Sequence, residues 1–214
     1  MAADAAAGPF LKPPLQARSR AAFERVLEAG ADVLRDGGFE AFTIAEVSRR
    51  SGVSVGSIYE RANKEGLFLA IHARWTDAIS AEQDALLLAL EDRGLAPEPL
   101  VREAVAAVAT VFDDHGGLMR VFMIRASLDA TIRERGAEAA ARNAQTFERL
   151  LLRHREAISH ADPELAVDVA FRLVYSTFAR RVMRGDAFES RRPLSWDQLV
   201  TELGEACVRY LLRA

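Results

Sequence analysis

At 214 residues, with 50% of them hydrophobic and 28% charged, the chain is long enough to bury a sizeable core without covalent or metal staples. A formal charge of -3 and a pI near 5.9 exclude a protein that coats nucleic acid through a global basic field, so any DNA contact must come from a local patch. The single cysteine, Cys207, excludes an intramolecular disulfide framework and a multi-thiolate zinc site and points to a reducing, cytoplasmic setting, while no stretch approaches the roughly 20 uninterrupted apolar residues of a membrane span.

Good helix formers dominate between short Gly or Pro breaks, and apolar residues recur at helical rather than alternating spacing, which predicts an all-α protein of nine helices. Residues 1–17, with Pro9, Pro13 and Pro14, read as a flexible tail lacking the sustained apolar core of a secretory signal. From about Arg18 to Arg35 the stripe Phe23, Val26, Leu27, Ala31 and Leu34 predicts the first helix, ended by Gly37-Gly38. Thr43 is placed to cap a second helix, with Glu46 at the capping-box position, and Gly52 stops it after two turns. Ser54 then caps a third short helix through about Arg61, and Asn63 a long fourth one towards Leu90.

Further on, breaks at Pro97 and Pro99, Gly116-Gly117, Gly136, Asp162-Pro163, Gly185 and Pro193 delimit helices near 100–114, 118–128, 137–160, 164–184 and 196–212. The expected organisation is a tail at 1–17, a compact helical head at 18–65 and a second helical domain at 66–214.

The segment from Thr43 to Tyr59 carries the chemistry. A helix-turn-helix needs a small residue where its helices cross, here Ser48, and a residue tolerant of positive φ at the turn, here Gly52. Val47, Val53 and Ile58 stand where apolar side chains lock the two helices together. With that core inward, Ser54, Val55, Gly56, Ser57 and Tyr59 occupy the start and outer face of the second helix, the part that enters a major groove. None of them is a bidentate base reader, so discrimination rests on Val55 meeting a thymine methyl, on DNA shape and on residues just outside the helix. Thr43, Arg49, Arg61 and Lys64 complete the expected DNA-contacting set. From Thr43 to Lys64, Arg49, Arg50, Arg61 and Lys64 stand against Glu46 and Glu60, so 4 − 2 gives a local charge of +2.

The run Gly38-Phe39, Thr43, Val47, Gly52-Val53-Ser54, Gly56, Ile58-Tyr59, Lys64-Glu65 and Leu67 resembles the amino-terminal domain of the tetracycline-repressor (TetR) family. The resemblance implies a one-component repressor acting as a homodimer, with two heads on a palindromic double-stranded operator. It also implies a carboxy-terminal helical domain that binds a small-molecule inducer and pairs through the last two helices. The stripe Ala170, Leu173, Val174, Thr177, Phe178 and Arg181, with Leu199, Leu203, Ala206, Val208, Tyr210 and Leu211, is available for that pairing. One departure stands out: the aromatic that family members carry shortly after the Tyr is missing between Tyr59 and Lys64, which predicts a shifted start of the fourth helix or a looser head.

Trp75, Met119, Phe122, Met123, Arg125, Phe147, Tyr175 and Phe178 are the candidates to line an inducer cavity, although such stripes at helical spacing more often form plain core. No enzyme, cofactor or metal is expected. Gly52-Val53-Ser54-Val55-Gly56 matches a nucleophile elbow only as text, since the elbow requires a strand before its serine. His72, His115, His154 and His160 show no ligand pair on one helix face. The competing reading is a helical dimer that binds a small molecule or protein and has lost DNA binding.

Overall fold

A computed structural model describes residues 17–186 and 190–213, with side chains from Ser19 onward. Of the expected tail, residues 1–16 lie outside the described residues, and Ala17 opens the first helix. The described residues form eight α-helices and no strand: α1 (Ala17–Ala41), α2 (Ile44–Ser51), α3 (Val55–Tyr59), α4 (Lys64–Ala89), α5 (Pro97–Ala126), α6 (Ala130–Leu151), α7 (Pro163–Arg184) and α8 (Trp196–Leu212). Short 3-10 turns at Glu91–Arg93 and Leu152–Ala157 follow α4 and α6. No described helix is long and apolar enough to cross a membrane.

The first helices follow the sequence closely. Phe23, Val26, Leu27, Ala31 and Leu34 are all buried, and α1 breaks its helical path at Gly38, where φ is 69° and ψ is -169°. Gly30, inside α1, is a close-approach position: a Cβ there would stand 2.5 Å from Ile71 Cδ1 of α4. Asp162 caps α7 by accepting from the Leu165 amide at 3.0 Å, with Pro163 at the first helical position. Ser195 and Gln198 form a complete capping box on α8.

Eight helices replace the expected nine because Gly116-Gly117 does not interrupt the chain, and Gly136, expected to precede a helix, falls inside one. The first pair lies inside α5 and the third inside α6, which starts at Ala130, where Asp129 Oδ1 accepts from the amides of Thr131 and Ile132. A helical glycine costs about 1 kcal/mol relative to alanine, less than the roughly 1.5–3 kcal/mol gained by burying each large apolar side chain. Val111, Phe112, Leu118, Val121 and Phe122 flank the pair in α5 and are buried. Both glycines also sit at tight contacts, since a Cβ would be 3.3 Å from Val182 at Gly116 and 3.0 Å from Arg35 Cγ at Gly117.

The chain divides into two compact units. Unit one takes the residues up to Ala78 together with Gly117–Gly136. Its core joins α1 (Val26, Leu34), Phe42, α2 and α3 (Val47, Ile58), α4 (Leu67, Phe68, Ile71) and the later segments (Leu118, Phe122, Ile132). Unit two holds Ile79–Gly116 and the residues from Ala137 onward, around an aromatic chain. In it Phe147 meets Phe171 at 5.5 Å, Phe171 meets Tyr175 at 5.8 Å, Tyr175 meets Phe112 at 5.3 Å and Phe178 meets Trp196 at 5.2 Å between ring centroids.

Part of the stripe assigned to dimer pairing is already used inside this second core. Ala170, Val174, Phe178, Val208 and Leu211 are buried within the chain, as is Leu199. The large apolar side chains that α7 and α8 leave exposed are Leu165, Leu173 and Tyr210, and Ala206 of the expected stripe is exposed with them. Helical periodicity marks a stripe that wants burial without saying against what, and here the chain's own neighbours take most of it.

Candidate nucleic-acid interface

α2 and α3 are held in register by three local devices. Thr43 Oγ1 accepts from the Glu46 amide at 3.1 Å and so starts α2. Gly52 ends it in the left-handed region at φ 68°, ψ 16°, its amide donating to the Ser48 carbonyl at 3.0 Å. In an L-residue the Cβ would crowd the following carbonyl in this conformation, which is why glycine serves here. Two residues on, Ser54 Oγ accepts from the Ser57 amide at 3.2 Å and starts α3.

Val47 and Ile58 are completely buried, and Val53 is half-buried against the same cluster. Ile58 is the one buried residue of α3. With Ile58 turned in, Ser54, Val55, Gly56, Ser57 and Tyr59 face outward; Val55 is 40% and Tyr59 58% exposed, large values for apolar and aromatic side chains. The expected outer face is thus assembled as one exposed strip.

The cations beside that strip are all engaged within the protein. Arg49 grips the Glu46 carboxylate with two hydrogen bonds of 2.7 and 2.5 Å, and Arg50 spans Glu46 at 2.9 Å and Asp36 at 2.5 Å. Hydrogen bonds from Arg49 and Arg50 hold the Glu46 carboxyl down at about 2. In the capping box foreseen at α2, Thr43 bonds the Glu46 amide while the Glu46 carboxylate serves the two arginines. The spacing of Glu46 to Arg49 and Arg50, three and four residues, signals this triad in the sequence, whereas Asp36 is brought in only by the fold.

After Tyr59 the chain reaches α4 without the missing aromatic and without loosening. Ala62 is buried, Asn63 Oδ1 accepts from the Gly66 amide at 2.8 Å, and α4 starts at Lys64, where Asn63 was expected to cap it. Arg61 lies over the Phe23 ring at 5.1 Å and bonds Ser19, so its stem and guanidinium pack against α1. Lys64 Nζ sits 4.4 Å above the Phe39 ring. Phe39 also receives the Arg125 guanidinium at 4.0 Å, and Arg125 bonds Glu65 at 3.3 Å. Phe39 thereby receives two cations drawn from distant segments, an arrangement with no local sequence signal.

The eight candidates for an inducer cavity do not gather in one unit. Trp75, Met119, Phe122, Met123 and Arg125 belong to unit one, and Phe147, Tyr175 and Phe178 to unit two. Phe122 packs its ring 4.7 Å from His72 and 6.1 Å from Phe68, Trp75 lies under the Arg74 guanidinium at 4.9 Å, and Met119 and Met123 are half-buried. Phe147 and Phe178 are completely buried core residues. His72, which has no ligand partner on its helix face, is buried beside Phe122. Burial pushes its imidazole down to about 4, with Arg135 adding to the effect, so the ring is neutral at physiological pH, and its Nδ1 is buried without a hydrogen-bond partner.

Catalytic geometry is absent at Ser54. A helix precedes it, and its hydroxyl donates to Ser57 Oγ at 2.9 Å. His115, expected at a helix end, lies within α5 and meets Glu82 at 2.7 Å. Among the described residues no three His, Cys, Asp or Glu side chains cluster as a metal site.

Residues 26–71 match the family described as bacterial regulatory proteins of the tetR family, and residues 97–211 match the tetracyclin repressor-like carboxy-terminal domain. No curated protein matches the chain in sequence. The structure is similar to that of a TetR-family transcriptional regulator from Mesorhizobium loti, at 18% identity and a TM-score of 0.72 over 92% of this chain and 99% of that one. It is also similar to a tetR-family regulatory protein from Rhodococcus RHA1, at 19% identity and a TM-score of 0.65 over 90% and 98% of the two chains. A third similar structure is the ketosteroid transcriptional regulator KstR2 of Mycobacterium tuberculosis, at 18% identity and a TM-score of 0.59 over 94% and 98%.

Proposed function

Since the carboxy-terminal match alone spans more than half of its 214 residues, the chain belongs to the TetR family of transcriptional regulators, and we propose that it is a ligand-responsive repressor that binds a palindromic operator as a homodimer in the cytoplasm. The observation that carries the DNA reading is the exposed strip from Ser54 to Tyr59, with Ile58 alone turned inward behind the left-handed Gly52. Such a strip fits a major groove through the front of its helix. Arg49, Arg61 and Lys64 supply positive charge for phosphates by giving up their contacts with Glu46, Ser19 and Phe39, and Thr43, which caps α2, is exposed. Gly56 supports the same reading, because a Cβ there would meet nothing within 4 Å, so the fold itself has no need of glycine at that point.

Leu165 and Leu173, each 50% exposed on α7, and Tyr210 on α8 support pairing of two copies through these helices. Such an interface is isologous, and its two heads must stand about 34 Å apart, or a multiple of that, to meet successive major grooves. Binding of an inducer that favours a different spacing of the heads, with a coupling of about 1–3 kcal/mol, weakens operator binding roughly 5- to 150-fold.

The test is selection of an operator from random DNA, followed by titration of that operator at several salt concentrations. A palindromic consensus, bound by two chains with an affinity that falls steeply as salt rises, is the expected result. Enrichment of no sequence, or binding indifferent to salt, overturns the assignment and leaves the chain as a helical binding module.

A further inference from the structure

Unit two opens a groove of about 330 Å³ where two of its helices come undone. α4 gives way to the 3-10 turn Glu91–Arg93, and α6 to the turn Leu152–Ala157. Gly94, in the left-handed region at φ 58°, and His154, at φ -110°, ψ 34°, then carry the backbone off the helical path. Leu90, Leu95, Leu100 and Leu150 give the groove an apolar lining. Glu91 and Arg153 also line it and pair with each other at 2.9 Å, their side chains 28% and 52% exposed. His154 and Leu100 also border a slit of about 10 Å³, room for about one water molecule, so a larger ligand stops at the groove. None of these residues belongs to the cavity-lining set expected from the sequence.

We propose that this groove binds a compact zwitterion with an apolar body, of the chemical class of an apolar α-amino acid. Its carboxylate takes Arg153, its ammonium takes Glu91, and its side chain lies on the leucines. The choice follows from charge bookkeeping at the rim. Without ligand the two side chains satisfy each other. An anion on Arg153 would sit beside the Glu91 carboxylate, and a cation on Glu91 would sit beside the Arg153 guanidinium; a ligand bearing both signs meets an opposite charge at each end and no like-charge repulsion. A guanidinium accepts a carboxylate in bidentate fashion, and the exposed Arg153 stem has room to swing. The volume falls at the lower end of the roughly 300–1,000 Å³ of small-molecule pockets, which suits a single amino acid. The site lies wholly within unit two and does not depend on the DNA reading.

Isothermal titration of the full chain with L-leucine tests this, with N-acetyl-L-leucine and L-leucinamide as probes that each keep one charge. Leucine is expected to saturate one site per chain below about 10 mM, with both singly charged analogues at least about tenfold weaker. Glu91→Gln and Arg153→Gln are each expected to weaken leucine binding at least about tenfold while leaving the melting temperature at the parent value, because the pair is solvent-accessible. Absence of saturable leucine binding, equal binding of either analogue, or unchanged affinity in both variants overturns the proposal.

Discussion

Replacing Gly56 by Ala separates what the fold requires from what the interface requires. An added Cβ meets nothing within 4 Å, and the residue already lies within α3, so the folded protein loses no contact. Alanine is favoured over glycine in a helix by up to about 1 kcal/mol. For a chain of this size that corresponds to a melting temperature unchanged or raised by up to about 4 °C. The methyl group projects from the exposed strip, however, and holds the backbone of α3 away from the groove edge. Operator affinity is therefore expected to drop at least about tenfold, with the slope of log K against log salt unchanged, because no phosphate-binding cation is altered. Gly52→Ala is the matched control: at φ 68° the strain of about 1–2 kcal/mol lowers the melting temperature by roughly 2–8 °C, and DNA binding falls with it. Thermal melting followed by circular dichroism, paired with fluorescence anisotropy on a labelled operator, reads both quantities. A Gly56→Ala protein that binds like the parent, or that melts several degrees lower, refutes the reasoning.

Glu46→Gln removes the carboxylate that grips Arg49 and Arg50 and is expected to strengthen operator binding at low salt and steepen its salt dependence; an unchanged slope in a salt titration counts against a phosphate role for these arginines. His72 has its folded pKa depressed to about 4, so below about 6.5 the unfolded chain binds a proton that the folded chain refuses, and stability is lost as pH falls from 6.5 towards 4. The loss between pH 7 and pH 5 is about 2 kcal/mol from this group, and denaturant melts of His72→Phe should show a correspondingly flatter dependence over that window. Burial pushes the Cys207 thiol up to about 11, so a thiol reagent at neutral pH is expected to modify the native protein far more slowly than the denatured chain; equal rates would contradict the packing of α8.

Local chemistry was legible in the sequence wherever a residue acts on its immediate neighbours. Thr43, Ser54 and Asn63 cap helices because the acceptor and the amide it satisfies lie within three residues of each other. Gly52 marks a turn because the backbone there needs the left-handed region, and Val47 and Ile58 mark its core by spacing alone. These features suffice for the helix-turn-helix and its outer strip. Gly116, Gly117 and Gly136 misled because glycine's helix penalty is small enough for burial of the flanking face to override it.

What stayed hidden depended on pairs far apart in the chain. Arg61 over Phe23, Arg125 and Lys64 on Phe39, and Asp36 on Arg50 join segments that no periodicity links. The tertiary structure likewise decided which apolar stripe each unit consumes, taking Ala170, Val174 and Phe178 inward and leaving Leu165, Leu173 and Tyr210 outside. The order of residues along the chain set the helices, their caps and the sharp turn at Gly52, because those are contests among near neighbours. Which side chains became core, which cations were tied down and where a groove opened were decided by folding, because burial and charge pairing depend on distances in space rather than along the chain.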